Sequence, residues 1–369
     1  MAERMTVHRD HKAIYDIVLE TSFDRLGEEA SSVMRQGKKA CIVTDSNVGP
    51  LYGKTVEGQL APNCSQVDTF VFPAGEEHKN LDTVKKLYEF LILNHYDRGD
   101  TLVALGGGVV GDLCGFAAAT YLRGVDFIQV PTTLLSQVDS GIGGKTGVDF
   151  DAYKNMVGAF HMPKLVYSNT AALLTLPEEQ FASGMGEIIK HGLIKDRLYY
   201  GWLARHADEI GRRDLAVCEE MIVKSDLIKR EVVEKDPTEQ GDRALLNFGH
   251  TLGHAIEKLM DFRMLHGQCV ALGFLGAAYI SAKRGMISME EVAQLRDMAQ
   301  SFGLPVTIAG LGLDLGQVAE TTKSDKKMDS GAIRFILLEA IGKAYVDRTV
   351  TQEEMLTALS WLQGGTDER

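Results

Sequence analysis

His250 and His254 are the pair whose type and spacing first suggest chemistry, in the segment NFGHTLGHAIE. The apolar spacing around them predicts a helix, and residues at i and i+4 share one helix face. Such a pair can bind one zinc ion, but the residues between them are Thr-Leu-Gly, so no H-E-x-x-H motif is present. Asn247 would lie one turn earlier on the same face. Spacing alone leaves open whether the two rings form a metal pair or have different roles.

A further histidine and a glutamate could complete a metal site. His266 lies in LHGQCVALG, and Glu187, Lys190 and His191 lie at i, i+3 and i+4 of a second predicted helix, SGMGEIIKHGLIKD. The apolar and glycine-rich surroundings of these three favour a buried pocket wall over a surface ion pair. Two histidines, one glutamate and one open position form a known catalytic zinc arrangement. A three-ligand catalytic metal site is therefore plausible, with its ligand set undecided.

A glycine-rich turn could bind a dinucleotide. Residues 106–111, GGGVVG, satisfy G-x-G-x-x-G between the apolar run TLVAL and the helical stretch DLCGFAAATYL. Strand–glycine–helix is the setting in which a backbone approaches a pyrophosphate at a helix N-terminus, although a tight structural turn would look similar. The usual acidic ribose ligand follows about 20 residues later. Here Asp126 precedes a strand and Asp45 lies upstream, so we predict a variant dinucleotide site.

Basic residues gather around these motifs. Lysines are usually solvated surface charges, but glycines flank Lys145 in GGKTG, which suggests a backbone folded close to an anion. The cations in or near the motifs are Arg123, Lys145, Lys154, Lys190, Lys229, Arg243 and Lys326. On a chain of net charge −12 they suggest a pocket for a highly anionic small substrate. With a dinucleotide and a metal, this suggests redox chemistry on a phosphorylated hydroxy acid.

Composition bounds the protein class. The 369 residues are 45% apolar and 24% charged, which predicts a globular protein of two domains. The acidic balance argues against general nucleic-acid binding. Five cysteines without a CxxC pair predict a reducing compartment and no disulfide framework. The charged N-terminus has no apolar signal core, and the most apolar window, 101–120, is broken by glycines. We therefore expect a cytoplasmic protein without a membrane span.

The elements that position these motifs differ between the two halves of the chain. The first half alternates strands and helices, which predicts a mostly parallel sheet covered on both faces. Its predicted strands are 15–20, 38–45, 66–73, 101–105 and 125–131, and its predicted helices are 22–37 and 81–96. From about Pro177 the pattern is helical, including one helix over 244–261, and a hairpin is predicted within 332–350. We place a domain boundary near 172–180.

Taken in order, the motifs resemble those of the 3-dehydroquinate synthases. They are GGGVVGD, ATYLRG, VPTTLL, GGKTG, GAF, IKHG, NFGHT, LHG and SDKK, within about residues 40 to 346. The resemblance implies an α/β, Rossmann-like NAD-binding domain over 1–175. It also implies a mainly helical metal- and substrate-binding domain over 176–369, and a homodimer. The implied reaction converts 3-deoxy-D-arabino-heptulosonate 7-phosphate to 3-dehydroquinate and phosphate. It uses NAD and a divalent metal, zinc or cobalt.

The resemblance also implies roles for individual residues. The implied metal ligands are Glu187, His250 and His266, which leaves His254 to the substrate pocket. The implied NAD-binding positions are Asp45, Asn47, Glu76, Lys79, Gly107, Gly108, Val109, Asp112, Thr132, Thr133, Lys145, Lys154, Thr175 and Leu176. The implied catalytic or substrate-binding positions are Arg123, Asp139, Lys145, Lys154, Asn155, Lys190, Lys229, Glu239, Arg243, Asn247, His254 and Lys326.

Other functions stay open beside this one. Another sugar-phosphate cyclase would share the fold and cofactors, a polyol dehydrogenase would release NADH, and a nucleotide-binding sensor would not turn over. Arg243, Asn247, His254 and Lys326 follow the dehydroquinate-forming pattern, which favours a carboxylated substrate. The chain departs from the family's usual residues at Ala172, His191, Gln268 and Cys269, and none of these is an implied ligand or pocket cation.

Overall fold

The structure, a computed structural model, describes residues 3–151, 153–236, 241–261, 263–323 and 334–364. The chain divides into two compact units, Met1–Leu176 and Pro177–Arg369. Within the described ranges, no helix combines the length and apolar character that crossing a membrane requires.

The first unit is built on one seven-stranded sheet of order β1-β2-β9-β6-β5-β3-β4. Only the β1–β2 pair is antiparallel; the other pairs run parallel. The strands of this unit are β1 (Glu3–Arg9), β2 (Lys12–Glu20), β3 (Lys39–Asp45), β4 (Gln66–Phe72), β5 (Thr101–Gly106), β6 (Asp126–Pro131), β7 (Lys145–Phe150), β8 (Tyr153–Phe160) and β9 (Leu165–Asn169). Its helices are α1 (Leu26–Ser31), α2 (Gly49–Leu60), α3 (Leu81–Leu93) and α4 (Gly108–Thr120).

Apolar residues cover both faces of the sheet because successive residues of a strand point to opposite sides. In β3, Cys41 and Val43 join the core formed with α3 and α4. Ala40 and Ile42 of the same strand join the opposite core, with α1 and α2. The predicted mostly parallel sheet with two covered faces is therefore confirmed.

Strands β1 and β9 and helix α2 were not predicted, and two further features of the first unit differ from the sequence prediction. The helix predicted over 22–37 is only Leu26–Ser31, because the hydroxyls of Ser31 and Ser32 donate to the carbonyls of Glu28 and Glu29. Such local bonds compete with helix continuation. The β7–β8 hairpin was not predicted either. Its glycines mask the strand pattern, yet they let the two strands pair closely, since a Cβ on Gly158 would lie 2.5 Å from the Thr146 carbonyl oxygen.

The second unit is mainly helical, as predicted. Its helices are α5 (Glu178–Lys195), α6 (Arg197–Arg205), α7 (Ala207–Gly211), α8 (Leu215–Lys235), α9 (His250–Leu259), α10 (His266–Lys283), α11 (Met289–Ser301), α12 (Leu315–Thr321) and α13 (Gln352–Leu362). The predicted hairpin is also confirmed as β10 (Phe335–Ala340) and β11 (Lys343–Asp347). Helix α10 is the centre of this unit, buried along most of its length and packed against α5, α9, α11 and α13.

The single helix predicted over 244–261 is wrong. Residues Asp242–Asn247 form a 3-10 turn, and α9 begins only at His250. Gly249 separates the two with a φ of +82°, a left-handed conformation that breaks a right-handed helix and that glycine adopts without strain. Asn247 is therefore not one turn before His250 on the same helix face.

Candidate active site

Helices α5 and α10 approach each other through glycine. A Cβ on Gly267 would lie 1.8 Å from the carbonyl oxygen of Ser183, and one on Gly186 would lie 2.5 Å from that of Gly267. No side chain fits between the backbones at this crossing. Glu187 follows the first helix's glycine and His266 precedes the second's. The crossing therefore brings these two side chains to the same place.

Helices α9 and α10 meet in the same way. A Cβ on Gly273 would lie 1.8 Å from the carbonyl oxygen of Gly249, and one on Gly253 would lie 2.8 Å from that of Cys269. Gly249 directly precedes His250, the first residue of α9. Glycine contacts thus fix all three predicted ligands through the backbone next to each of them.

Glu187, His250 and His266 form a group that could hold a metal ion. Their candidate ligand atoms lie within 4.8 Å of one another. Oε1 of Glu187 is 3.7 Å from Nε2 of His250 and 3.4 Å from Nε2 of His266. This oxygen is buried and makes no hydrogen bond of normal geometry within the described part of the chain. A buried carboxylate oxygen facing two imidazole nitrogens suits a divalent cation such as zinc, which binds nitrogen and oxygen ligands.

Charges around Glu187 keep it ionised. Burial alone would raise the pKa of Glu187, but the Lys190 ammonium and the imidazoles of His266 and His250 lower it well below its ordinary value. Lys190 pairs with the other carboxylate oxygen, Oε2, and both side chains are buried. Glu187 is therefore a carboxylate at neutral pH, as a metal ligand must be.

The two histidines of the group differ in protonation. Burial, helped by the Lys190 charge, lowers the pKa of His250 well below its ordinary value, so this ring is neutral. Burial opposes protonation of His266 too, but the nearby carboxylates of Glu187 and Glu257 raise its pKa to about 10. A cation bound at this group would therefore compete with a proton for His266.

The other predicted pocket residues of this unit that the structure describes differ in burial, and the ring of His254 lies beside the group. Lys229 on α8 and Arg243 in the 3-10 turn are buried cations, which is unusual unless they are paired or functional. His254 is exposed, with its ring centroid 4.9 Å from that of His250 and 5.8 Å from that of His266. Asn247 is half-buried at the end of the turn. The predictions at Glu239 and Lys326 lie outside the described residues.

In the first unit, the glycine turn lies between β5 and α4, as predicted. Helix α4 begins at Gly108 and runs for 13 residues. A Cβ on Gly107 would lie 2.9 Å from Thr133, and one on Gly108 would lie 3.0 Å from Ser140, so side chains here would fill the space at the helix N-terminus. Oγ1 of Thr132 is buried beside the turn without a hydrogen-bond partner among the described residues. This bare helix N-terminus fits a pyrophosphate.

Asp45 lies at the same edge of the sheet, at the end of β3. Its Oδ1 accepts hydrogen bonds from the backbone nitrogens of Asn47, at 2.8 Å, and Val48, at 2.9 Å. Because β3, β5 and β6 are parallel, their carboxyl ends meet at one edge, where ligands of such sheets bind. The predicted Asp45, Asn47 and the glycine turn therefore share this edge, although Asp45 precedes the turn in sequence.

Five predicted residues form one ion-pair cluster. Lys79 is buried, with its Nζ 2.7 Å from Oε1 of Glu76, 3.6 Å from Oδ2 of Asp112 and 2.8 Å from Oδ1 of Asn155. Nζ of Lys154 lies 3.7 Å from the same Glu76 oxygen. Burial raises the pKa of Asp112 to about 7, against the opposing charge of Lys79. The carboxyl group of Asp112 is therefore easier to protonate than that of an exposed aspartate.

Asp149 belongs to this cluster and was missed by the sequence interpretation. Its Oδ1 lies 3.7 Å from Nζ of Lys79 and accepts a hydrogen bond from the backbone nitrogen of Asn155 at 2.8 Å. Asn155 has a φ of +55°, so this bond stabilises a backbone conformation that L residues rarely adopt. The detectable signal was an acidic residue five positions before Lys154, at the end of a glycine-flanked strand.

The remaining predicted positions of the first unit are scattered. Thr133 lies beside Gly107 of the glycine turn, Asp139 is half-buried in the helical turn Ser136–Ser140, and Lys145 is exposed at the start of β7. Thr175 contacts Tyr52 through their hydroxyls, and Leu176 is buried beside it. Arg123 lies beyond the C-terminus of α4, so the length of that helix, about 20 Å, separates it from the glycine turn. The structure does not bring Arg123 to this turn of its own chain.

Comparison with known proteins identifies the family of this chain. The family model described as 3-dehydroquinate synthase N-terminal matches residues 69–183, and the one described as 3-dehydroquinate synthase C-terminal matches residues 184–328. The chain belongs to the 3-dehydroquinate synthase family. The resemblance stated from the motifs is therefore confirmed, and so are the fold class and the enzyme class that it implies.

Individual relatives agree with this family. A 3-dehydroquinate synthase of Acetivibrio thermocellus is 42% identical over 343 residues, covering 93% of this chain and 94% of that protein. One of Nitrosospira multiformis is 46% identical over 314 residues, covering 85% of each. Among solved structures, the 2-epi-5-epi-valiolone synthase ValA of Streptomyces hygroscopicus subsp. jinggangensis, with NAD⁺ and Zn²⁺ bound, superposes with a TM-score of 0.87. It is 26% identical and covers 98% of this chain and 99% of that one.

Proposed function

We propose that this chain catalyses the 3-dehydroquinate synthase reaction, the conversion of 3-deoxy-D-arabino-heptulosonate 7-phosphate to 3-dehydroquinate and phosphate. The observation that carries the proposal is the Glu187–His250–His266 group, in which Glu187 is buried together with Lys190 beside it. It stands in a chain that is 42% and 46% identical to proteins named 3-dehydroquinate synthase.

Residues of both units fit the cofactors. Glu187, His250 and His266 would hold a divalent cation, zinc or cobalt, and the glycine turn at 106–111 would hold NAD. When bound, these groups supply reversible hydride acceptance and polarisation of the hydroxyl being oxidised. We retain the division into an NAD-binding domain over 1–175 and a metal- and substrate-binding domain over 176–369.

Buried cations of this chain would bind the anionic substrate. Lys190, Lys229 and Arg243 are each at most 5% exposed. Charge-assisted hydrogen bonds from such groups to carboxylate or phosphate oxygens are strong, because little water competes with them. Lys190 has a second role, since its ammonium keeps Glu187 ionised. His254, exposed beside the ligand group, would hydrogen-bond to the substrate from the same side.

The reaction needs positioning more than strong acid–base groups. Transient oxidation at C5 acidifies the proton on C6, and phosphate then leaves by elimination, with the substrate phosphate itself the proposed base. After re-reduction, the ring opens and an intramolecular aldol step closes the carbocycle. The chain's main contribution would be to hold the substrate and its charges in place through these steps.

The direct test is product formation by the purified protein loaded with NAD⁺ and zinc. We expect phosphate release from the heptulosonate 7-phosphate, equimolar 3-dehydroquinate, and no lasting rise of NADH absorbance. Turnover of sedoheptulose 7-phosphate or glucose 6-phosphate, but not of the heptulosonate, would favour another sugar-phosphate cyclase. Stoichiometric NADH accumulation would favour a polyol dehydrogenase.

A variant connects this activity to the proposed ligands. Glu187→Ala should lose bound zinc and turnover while keeping its far-ultraviolet circular dichroism. Full activity of this variant would remove Glu187 from the site. The other residues named from the resemblance, including Glu239, Lys326 and Arg123, stay predictions for the same assay.

We also propose a homodimer. The hairpin formed by β7 and β8 exposes large apolar side chains, which in a monomer would face water: Phe150 is 49% exposed, Tyr153 60%, Met156 48% and Phe160 59%. Contiguous exposed apolar surface is typical of protein interfaces. Light scattering after size exclusion measures the assembly directly. The cytoplasmic location inferred from composition stays a prediction.

A further inference from the structure

Helix α9 presents three polar residues on one face: His250, His254 and Glu257, at i, i+4 and i+7. The first is a proposed metal ligand, whereas Glu257 was not singled out from the sequence. Glu257 is 4% exposed. A buried carboxylate is costly unless a donor or a positive charge compensates it. The groups that surround the Glu257 carboxylate therefore indicate its role.

The ring of His266 on the neighbouring helix lies close to this carboxylate. Oε2 of Glu257 lies 3.5 Å from Nδ1 of His266, a long hydrogen bond. The other nitrogen of the same ring, Nε2, lies 3.4 Å from Oε1 of Glu187. The His266 ring is thus held between a carboxylate of the ligand group on one side and Glu257 on the other.

The second histidine of the group shows the same pattern with a different acceptor. Nδ1 of His250 lies 3.2 Å from the carbonyl oxygen of Phe248, and its Nε2 faces Glu187 Oε1 at 3.7 Å. In both rings an acceptor at Nδ1 leaves Nε2 for a metal. A ligating histidine commonly donates its other N–H in this way, which sets both its tautomer and its ring orientation.

We propose that Glu257 is a positioning residue for the metal site: its carboxylate accepts the Nδ1 proton of His266 and holds Nε2 toward Glu187. Helix α9 would then contribute one ligand directly, His250, and orient the other across its contact with α10. A carboxylate is a stronger acceptor than a carbonyl, so His266 would be the more basic of the two imidazole ligands. The inference rests on the proposed function, because it requires a cation at this group.

One other arrangement is compatible with the same distances. Candidate ligand atoms of His254, Glu257 and His266 also lie within 4.8 Å of one another. Glu257 could then bind a second cation directly instead of orienting His266. Metal stoichiometry separates the two possibilities, since positioning requires one ion per chain and direct ligation requires two.

The test measures cation affinity, independently of turnover. Zinc binding to the wild-type chain, Glu257→Gln and Glu257→Ala would be measured by competition with a chromophoric chelator, and the visible spectrum of the Co²⁺-loaded proteins recorded. We expect Glu257→Ala to bind zinc about 10- to 100-fold more weakly, with an altered Co²⁺ spectrum. Glu257→Gln should lose less, because an amide oxygen can still accept the Nδ1 proton.

Glu354→Gln is the matched control. It also removes a carboxylate from an ion pair of the second unit, but its partner Arg284 caps the end of α10 opposite to His266. We expect it to bind zinc with wild-type affinity and spectrum. If Glu257 had only a structural role, Glu257→Ala and Glu257→Gln would both lower the unfolding temperature, and neither would change the Co²⁺ spectrum.

The outcomes are separable. Wild-type zinc affinity and Co²⁺ spectrum in Glu257→Ala would overturn the inference, as would two Co²⁺ ions bound per wild-type chain. If Glu257→Ala does not fold by circular dichroism, Glu257→Gln decides: an unchanged affinity and spectrum overturns the inference, and a weakened one supports it. If the wild-type chain binds neither zinc nor Co²⁺, the proposed function itself is contradicted. If the wild-type chain binds metal and turns over, but substituting Glu257 changes neither metal affinity nor spectrum, only this inference fails.

Discussion

Replacing Gly273 by alanine tests how the ligand group is built. The new Cβ would lie 1.8 Å from the carbonyl oxygen of Gly249 and 2.8 Å from the backbone nitrogen of Gly253, whereas ordinary contacts of a Cβ begin near 3.4 Å. The first gap must therefore widen by about 1.6 Å between two helix backbones, which cannot rotate away as a side chain can. Gly249 directly precedes His250, so the displacement falls on a proposed ligand.

The expected loss follows from this displacement. Overpacking a tight core costs about 1–3 kcal/mol, and the higher end applies where backbone must move. The gain in helix propensity from glycine to alanine, about 1 kcal/mol, offsets part of it. Metal sites tolerate errors of only about 0.2 Å in ligand distances. We therefore expect a net destabilisation of about 1–2 kcal/mol and a loss of zinc affinity of at least tenfold.

Gly276→Ala is the matched control on the same helix, one turn further on. Its new Cβ would lie 2.8 Å from a terminal methyl of Leu252, which can change rotamer. Chelator competition would give the zinc affinities, and urea titration of the metal-free proteins the stabilities. We expect Gly276→Ala to keep wild-type zinc affinity. If Gly273→Ala keeps it as well, the close contact between α9 and α10 does not position His250, and the reasoning is refuted.

Three further predictions concern other parts of the chain. Glu354→Gln removes a carboxylate that accepts hydrogen bonds from Nε of Arg284 at 2.6 Å and from Nη2 at 2.8 Å, and that also caps α13. We expect the free energy of unfolding to fall by about 1–2 kcal/mol at pH 7, after allowance for solvent screening. Arg284 lowers the pKa of Glu354 from 4.5 to about 2, so the stabilisation is present above pH 4.5 and is lost as the pH falls toward 2. The urea midpoints of the wild type and Glu354→Gln should therefore converge over that range. A constant difference between the two midpoints would contradict a stabilising role of the Arg284–Glu354 ion pair. Gly58→Ala, at an exposed position in α2 with no atom within 4 Å of the new Cβ, should stabilise the chain by about 0.5–1 kcal/mol in the same titration, and a loss would show strain at that site. Removing bound metal with a chelator should abolish turnover, reversibly on adding zinc, and lower the unfolding temperature without unfolding the chain at 25 °C, as circular dichroism would show.

The class of the protein and most of its elements could be predicted from the order of its amino acids. Short apolar, β-branched runs such as KKACIVTD predicted the buried strands, because a central parallel strand is covered on both faces and is therefore apolar along its length. The glycine turn before α4 was also predicted correctly, because such a turn depends on local backbone freedom. The order of many separate motifs was enough to indicate the family. Each of these features depends on residues that are contiguous in the chain, so the local sequence is sufficient to predict it.

The errors arose where local signals compete. The helix over 22–37 was predicted too long because the hydroxyls of Ser31 and Ser32 bond to the preceding turn instead of facing solvent. Residues 244–261 were predicted as one helix because the apolar spacing continues across Gly249. Only the φ of that residue, +82°, shows that the helix begins again at His250.

Which polar side chains meet depends on packing between helices that are distant in the sequence. On α9, spacing makes His250 and His254 equivalent, since both point the same way. The difference comes from the approach of α5 and α10, whose glycines let backbones come so close that Glu187 faces His250 and His266. The same approach brings Glu257 to the far side of the His266 ring. Gly186 and Gly267 stand far apart in the chain, and no periodicity within one helix encodes how closely another backbone can pack against it.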